Sequence, residues 1–143
     1  MIKLIILDVD GTLTKGGILI GNSGEEFKEF NVKDGYMIAS ARKKCGKIFA
    51  IITGRNSKIV SIRAKELGIT HLYQGIDDKI VIYEQLKKEL NITDEETAYI
   101  GDDLNNFEVM KRVGLVGAPA DACREILQTA DFVSSKNGGE GAV

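Results

Sequence analysis

Three groups of acidic and polar residues follow apolar stretches of this sequence and could do chemistry together. They are Asp8-Val9-Asp10-Gly11-Thr12, Thr53-Gly54-Arg55 and Gly101-Asp102-Asp103. If the apolar stretches are parallel strands, the three groups meet at the carboxyl edge of one sheet, where ligands bind. Asp8 and Asp10 are two positions apart in an extended segment, so both carboxylates point the same way. One can act as a nucleophile, and the other as a general acid and then a base.

The charge of these groups sets a condition on the substrate. A dianion such as a phosphate ester would meet several carboxylates, with only Lys79 or Arg55 to offset them. At an effective dielectric near 20, each close pair of like charges costs up to about 4 kcal/mol. A bound divalent cation is therefore expected, because it would cancel this repulsion. Oxygen ligands without a Cys/His cluster favour magnesium over zinc.

Each group also has a purely structural interpretation. Asp10-Gly11 is a common turn pair, Asp102 or Asp103 could cap a helix, and Thr53-Gly54 alone carries little information. Arg55 could equally form a surface ion pair with a carboxylate. All three groups occur in order along the chain, which favours a chemical role for the first group, at residues 8–12.

The elements that must position these residues alternate between strands and helices. Continuous apolar runs, typical of strands buried on both faces of a parallel sheet, occur at Leu4–Leu7 and Ile48–Ile52. Shorter strands are predicted at residues 71–74, 97–100, 115–116 and 132–133. This alternation predicts an α/β, three-layer Rossmann-like fold with a central parallel sheet.

The helices between these strands are predicted from caps and apolar spacing. Asp34 is the expected cap of a helix that runs to Cys45 and stops at Gly46, and Ser57 is the expected cap of a helix that stops at Gly68. Two further helices are predicted from apolar stripes. The residues of these stripes are Ile82, Leu86 and Leu90, and then Cys123, Ile126, Leu127 and Ala130.

One segment, at about residues 16–30, interrupts the alternation. Its turn residues Gly21-Asn22-Ser23-Gly24 lie between two short extended stretches, which predicts a small β-hairpin inserted after the first strand. An isolated two-stranded hairpin is only marginally stable in water. We therefore expect this hairpin to pack against something else, for which a neighbouring subunit is our hypothesis.

Composition excludes several classes of protein. The 143 residues suit a single domain over 1–143, and 43% hydrophobic with 28% charged residues is an ordinary globular balance. A net charge of −2 gives no support to nucleic-acid or anionic-membrane binding. Cys45 and Cys123 are too few for a disulfide scaffold and are expected to be core residues in a reducing compartment. Neither a membrane-spanning stretch nor a signal peptide is apparent, so we predict a cytoplasmic protein.

The order of the candidate residues resembles a known family. The four motifs of the haloacid-dehalogenase-like hydrolases are similar to Asp8-Val9-Asp10-Gly11-Thr12, Thr53, Lys79 and Gly101-Asp102-Asp103. The short intervals between these motifs resemble the capless subclass. Longer stretches, from about Ile5 to the last residue, resemble 3-deoxy-D-manno-octulosonate 8-phosphate (KDO 8-phosphate) phosphatases. These stretches are Asn31-Val32-Lys33-Asp34-Gly35-Tyr36, Ile52-Thr53-Gly54-Arg55-Asn56-Ser57, Gln74-Gly75, Ala98-Tyr99-Ile100-Gly101-Asp102-Asp103 and Gly138-Gly139-Glu140-Gly141-Ala142-Val143.

The resemblance implies a magnesium-dependent phosphomonoesterase that releases KDO and phosphate in the synthesis of a lipopolysaccharide precursor. Asp8 would attack phosphorus to give an aspartyl-phosphate, and Asp10 would protonate the leaving alkoxide and later activate water. The carboxylates of Asp8 and Asp102 and the main-chain carbonyl of Asp10 would hold Mg²⁺. Asp103 would orient metal-bound waters or Lys79.

The same resemblance assigns the substrate contacts. Thr53, the Gly54 amide and Lys79 would bind the phosphoryl oxygens, beside the positive end of the helix that follows Ser57. Arg55 would lie next to them and could bind a sugar-acid carboxylate in a bidentate manner. Phosphatases for nine-carbon, sialic-acid-like phosphates tend to carry an acidic residue there, and such a substrate is the alternative.

Two features differ from the family pattern, and its relatives imply an assembly. Relatives usually have an aspartate at the position of Asn106, and they continue beyond Val143. Relatives are tetramers in which a hairpin or tail of another protomer closes the site, which implies a homotetramer here.

Two alternatives lie outside phosphatase chemistry. A phospho-accepting receiver domain has an aspartate at the end of its third strand, where this sequence has Tyr73-Gln74-Gly75. The other is a phosphatase-like module that has lost activity and serves oligomerisation. Against it, every motif residue is present except the aspartate usual at the position of Asn106.

Overall fold

The computed structural model describes residues 1–143, and a parallel sheet of six strands runs through its centre. The eight strands of the chain are β1 (Leu4–Leu7), β2 (Leu19–Ile20), β3 (Glu26–Phe27), β4 (Ile48–Ile52), β5 (His71–Tyr73), β6 (Thr97–Ile100), β7 (Leu115–Ala118) and β8 (Phe132–Val133). The central sheet has the order β5-β4-β1-β6-β7-β8. The chain moves outward from β1 to one side and then fills the other side, so the strand order reverses between β1 and β6. Ligand clefts in open sheets form at such a reversal.

Helices cover both faces of this sheet, which confirms the predicted three-layer fold. They are α1 (Val32–Cys45), α2 (Lys58–Leu67), α3 (Lys79–Leu90), α4 (Phe107–Met110) and α5 (Arg124–Thr129). Successive residues of β1 face opposite ways: Leu4 and Ile6 pack in a core with Tyr83 of α3, whereas Leu7 packs in a second core with Ile38 of α1. The continuous apolar run of this strand follows from burial on both faces.

Two helix predictions need correction. Asn31, and not Asp34, caps α1: its backbone is extended, and its side chain accepts a hydrogen bond from Lys33 N at 2.9 Å. Asp34 lies in the first helical turn and is buried. Asparagine and aspartate are equally good caps, so residue type alone could not choose between them. In α3 the stripe centres on Tyr83 and Leu86, with Ile82 and Leu90 only partly buried.

The other helix and strand ends lie close to their predicted positions. Gly46 and Gly68 end α1 and α2 in the left-handed conformation, with φ of 62° and 69°. Ser57 precedes α2 as predicted, but its side chain makes no capping hydrogen bond. Strand β7 extends beyond the two predicted residues because Gly117 and Ala118 pair with β8.

Strands β2 and β3 form the predicted antiparallel hairpin outside the main sheet. Leu19, Ile20 and Phe27 are exposed on it. Lys28, just after β3, instead has an almost fully buried side chain and contacts Asp10 of the same chain. The hairpin therefore packs against the loop that follows β1 in the same chain, and its contact with a neighbouring subunit stays a prediction.

The cysteines differ from each other. Both thiols are free, but Cys45 is exposed at the end of α1, whereas Cys123 is partly buried. The prediction that both belong to the core is therefore wrong for Cys45, because the last turn of α1 is basic and faces solvent. None of the helices has the length and apolar character required to cross a bilayer.

Candidate active site

The three groups singled out in the sequence converge on one cleft. Asp8 follows β1, Thr53 follows β4 and Gly101 follows β6, and these three strands are neighbours in the sheet. The cleft has a volume of about 230 Å³ and no hydrophobic residue in its lining. Every predicted site residue except Lys79 lines it, together with Asn105. Parallel pairing brings the ends of these strands together, so the topology explains the convergence.

Asp8 is held in one orientation at the floor of the cleft. Its Oδ1 accepts hydrogen bonds from Val9 N at 2.9 Å and from Lys79 Nζ at 3.1 Å. Its Oδ2 accepts one from Asn106 Nδ2 at 2.9 Å. Asp8 and Lys79 are both nearly inaccessible, and such a buried ion pair is tolerable only when its remaining polar atoms are satisfied. Lys79 is the first residue of α3, so the start of that helix places the ammonium group beside Asp8.

Asn106 completes this arrangement, a role that was not predicted from the sequence. It is fully buried, and its Oδ1 accepts hydrogen bonds from Lys79 Nζ at 2.7 Å and from Tyr99 Oη at 2.9 Å. It therefore contacts both members of the Asp8–Lys79 pair. The sequence marked this position only as a departure from relatives, although its place one turn after Asp102 was a usable signal.

Asp103 was expected to orient either metal-bound waters or Lys79, and its observed hydrogen bond is to neither. Its Oδ1 accepts a hydrogen bond from Leu104 N at 2.7 Å, and it precedes the 3₁₀ turn Leu104–Asn106. It makes no hydrogen bond or salt bridge to Lys79, whose partners are Asp8 and Asn106. Because Asp103 still lines the cleft, the expectation that it orients metal-bound waters stays a prediction.

Asp102 shows that negative charge accumulates here. Burial, followed by the charge of Asp8, raises the pKa of Asp102 to about 6, against a smaller opposing effect of its hydrogen bond from Thr12. A Cβ at Gly11 would collide with the Asp102 carboxylate, and Gly11 has φ of +87°. Glycine is thus required for the first loop to approach Asp102 this closely.

These donors suit a hard divalent cation. No cluster of three or more His, Cys, Asp or Glu side chains is placed to bind a metal. Two carboxylates, Asp8 and Asp102, with the main-chain carbonyl of Asp10 would instead form an all-oxygen set, which matches Mg²⁺ rather than Zn²⁺. A cation between them would also relieve the repulsion that raises the pKa of Asp102.

The other side of the cleft is formed by the loop after β4. Thr53 is buried, and its backbone is fixed by hydrogen bonds to Tyr73 O at 3.0 Å and from Ile76 N at 3.2 Å. Ser57 N donates to Gln74 Oε1 at 2.8 Å just before α2 begins. The loop that carries Thr53 and Gly54 is therefore anchored to the segment after β5.

The hairpin adds two charged residues, Glu26 and Lys28, which form ion pairs with Asp10 and with Arg55 of the loop after β4. Lys28 Nζ lies 2.6 Å from Asp10 Oδ1 and 3.2 Å from Glu26 Oε1. Arg55 Nη2 lies 3.1 Å from Glu26 Oε1, and Arg55 Nε is 4.0 Å from Asp10 Oδ2. The hydrogen bond from Lys28 lowers the pKa of Glu26. Arg55 thus forms an ion pair with a carboxylate, as its purely structural interpretation predicted. It also lines the cleft.

Lys28 is a residue that the sequence analysis missed. A usable signal was present, because Glu26 and Lys28 are two positions apart around the exposed Phe27 and so project to the same side of an extended segment.

The chain is similar to known hydrolases over nearly its whole length. A family model described as haloacid dehalogenase-like hydrolase matches residues 20–143. The 3-deoxy-D-manno-octulosonate 8-phosphate phosphatase of Escherichia coli K12 is 50% identical over 142 residues, which are 99% of this chain and 75% of that protein.

Solved structures are equally similar. The phosphatase of the same name from Yersinia pestis superimposes with a TM-score of 0.96 at 50% identity, covering 99% of this chain and 76% of the other. The one from Moraxella catarrhalis, solved with a magnesium ion, a phosphate ion and KDO, gives 0.94 at 44% identity, covering 99% and 81%. The family match and the identity over nearly the whole chain confirm the resemblance seen in the sequence. The chain belongs to the haloacid dehalogenase-like hydrolase family.

Proposed function

We propose that this protein is a magnesium-dependent phosphomonoesterase that acts through an aspartyl-phosphate intermediate. The observation that carries the proposal is the buried Asp8 carboxylate, fixed by Lys79 and Asn106 at the floor of a polar cleft. A carboxylate oriented in this way is ready to attack a phosphorus atom without reorganisation.

In the first step, an oxygen of Asp8 would bond to phosphorus while the ester P–O bond breaks. Asp10 would give its proton to the departing alkoxide. Thr53, the Gly54 amide and Lys79 would hold the phosphoryl oxygens. Mg²⁺, held by Asp8, Asp102 and the Asp10 carbonyl, would supply the positive charge that lets a dianionic ester approach these carboxylates.

In the second step, water would attack the phosphorus of the aspartyl-phosphate. Asp10 would accept a proton from that water as the bond between phosphorus and Asp8 breaks. This step releases inorganic phosphate and restores Asp8 as a carboxylate and Asp10 as an acid. The enzyme therefore returns to its starting protonation state.

The substrate we propose is KDO 8-phosphate, and the role in making a lipopolysaccharide precursor follows from it. Support comes from the 50% identity to a phosphatase named for this compound and from the relative solved with KDO. Arg55 supports it as well, since a guanidinium in the lining can bind a carboxylate. A homotetramer and a cytoplasmic location stay predictions.

The nucleophile is tested by Asp8→Asn. The parent should hydrolyse p-nitrophenyl phosphate only when Mg²⁺ is present, and the variant should lose at least about a thousandfold in kcat because an amide cannot attack phosphorus. Asp77→Asn, at an exposed aspartate outside the cleft, is the matched control and should behave as the parent. Parent-like turnover by Asp8→Asn would overturn the assignment. A parent without any hydrolysis would favour the receiver or oligomerisation alternatives.

The substrate is tested by comparing eight- and nine-carbon sugar-acid phosphates. The eight-carbon compound should have the higher kcat/KM, and Arg55→Ala should raise its KM by about tenfold because a charge-assisted contact is lost. Arg124→Ala, at an exposed arginine, should leave KM unchanged. Equal or better turnover of the nine-carbon compound would reverse the choice.

A further inference from the structure

Lys28 occupies a position that a solvated hairpin lysine would not take. Its side chain is only 1% exposed, although it follows a two-residue strand on a hairpin whose apolar side chains are largely open to solvent. Removing an ammonium group from water is costly unless it is paired. Lys28 is paired twice, with Asp10 and with Glu26. The buried charge of Lys28 therefore stabilises the contact between the hairpin and the loop that carries Asp10.

The pairing leaves the two oxygens of Asp10 in different environments. Lys28 Nζ donates a charge-assisted hydrogen bond to Oδ1, and the two atoms are 2.6 Å apart. Oδ2 has no hydrogen bond and lies on the side of Arg55, whose Nε is 4.0 Å away and which lines the cleft. Glu26 in turn contacts both Lys28 and Arg55, so the ammonium group is itself held in place.

We propose that Lys28 is a positioning residue for Asp10. By occupying Oδ1, its ammonium group fixes the carboxyl group so that Oδ2 is the oxygen that exchanges the proton. This rests on the proposed function, in which the proton on Asp10 moves to the ester oxygen as the P–O bond breaks and is replaced by a proton from water. Lys28 keeps its own protons in both steps.

The proposal has a consequence that a structural role of Lys28 would not have. A sugar alkoxide is a poor leaving group and needs the proton from Asp10, whereas p-nitrophenolate leaves readily without it. Loss of the correct orientation of Asp10 should therefore slow the first step for a sugar phosphate and spare it for the aryl phosphate. Loss of folded protein would reduce both rates by the same factor.

The test is Lys28→Met, which keeps the length of the side chain and removes the charge. We expect single-turnover cleavage of KDO 8-phosphate to fall at least about tenfold, while the burst of p-nitrophenol stays within about twofold of the parent. Steady-state turnover of the aryl phosphate should fall too, because Asp10 must still activate water. Lys15→Met, at an exposed lysine whose one ion pair, with Glu140, is 3.6 Å long, is the matched control and should match the parent for both substrates.

Three outcomes are decisive. A parallel decrease in both first-step rates would overturn the proposal and make Lys28 a structural residue, and unchanged rates would overturn it outright. The ratio of the two rates is measured on one sample, so it is independent of the folded fraction if the hairpin is weakened. A parent that cleaves neither substrate would instead contradict the proposed function.

Discussion

At the scale of residues, the candidate active site depends on a buried polar network. Asp8 accepts three hydrogen bonds, and Asn106 links its carboxylate to Lys79 and Tyr99. In a low-dielectric interior, each bond in such a network strengthens the others, and each unpaired member is costly. The carboxylate of Asp8, the proposed nucleophile, is therefore held in place by hydrogen bonds within the chain.

We predict that Asn106→Ala lowers kcat by roughly 10–100-fold, because it removes a hydrogen bond from each charged partner, worth about 1.5–3 kcal/mol. KM should change little, since Asn106 is buried beneath the cleft and does not line it. Steady-state kinetics with p-nitrophenyl phosphate measures both constants.

The control for this prediction is Asn105→Ala, which removes the same amide from the exposed neighbouring residue in the cleft lining. It should retain most of the parent's kcat. An equal loss in both variants would mean that the turn before α4, and not the contacts of Asn106, is responsible.

At the scale of elements, the contact between α1 and α2 buries a charge that the catalytic site does not use. Asp34 is 3% exposed in the first turn of α1, and its carboxylate makes no hydrogen bond of good geometry, although the Val143 backbone lies close enough to lower its pKa. Burial raises the pKa of Asp34 to about 6, against opposing effects of the Val143 backbone and the charge of Arg63 on α2. The start of α1 is therefore destabilised once Asp34 ionises.

We predict that Asp34→Asn stabilises the protein at neutral pH. Below the unfolded-state pKa near 3.8, the carboxyl group is protonated in both states and costs nothing. As the pH rises toward 6 and beyond, the unfolded state loses its proton first, so the parent loses up to about 3 kcal/mol of stability. Urea unfolding at about pH 7.5, 5.5 and 4.5 should show the advantage of the variant shrinking as the pH falls.

Asp77→Asn again serves as the control, since an exposed carboxyl group has no burial cost to remove. A difference between Asp34→Asn and the parent that is independent of pH would contradict the explanation, because it would point to packing and not to ionisation.

At the scale of the whole molecule, the sheet brings carboxylates from distant parts of the chain to one edge. Asp8 and Asp102 end up close enough for the charge of one to raise the pKa of the other. The net charge of the chain is only −2, so this repulsion is local to the cleft. A cation bound between Asp8 and Asp102 would therefore relieve this repulsion.

We predict that Mg²⁺ raises the temperature of thermal unfolding. Binding at about one hundred times Kd stabilises a folded protein by about 2.7 kcal/mol, which is several degrees for a chain of this size. Addition of EDTA should reverse the effect, and Asp102→Asn should abolish it, since one ligand is lost. Differential scanning fluorimetry measures the shift.

KCl at matched ionic strength is the control for general screening of charge and should give a much smaller shift. If KCl reproduces the effect of Mg²⁺, or if Asp102→Asn still responds fully, no specific site exists between Asp8 and Asp102.

Most of the elements and of the candidate cleft residues can be predicted from short stretches of the sequence. Continuous apolar runs indicated β1 and β4, glycines indicated the ends of α1 and α2, and residue types after the strands indicated the cleft. These features are local, because burial on both faces, helix termination and turn chemistry are each encoded within a few residues.

The contacts between side chains, in contrast, depend on the tertiary structure. Asn106 contacts Asp8 across 98 positions, and Lys28 contacts Asp10 across 18 positions through a hairpin turn. The lack of a well-formed hydrogen bond to the buried Asp34 carboxylate likewise depends on how α1 packs. A pattern of residue types specifies which groups can donate, accept or carry charge, whereas the partner of each group depends on strand order and helix packing, which no local stretch contains.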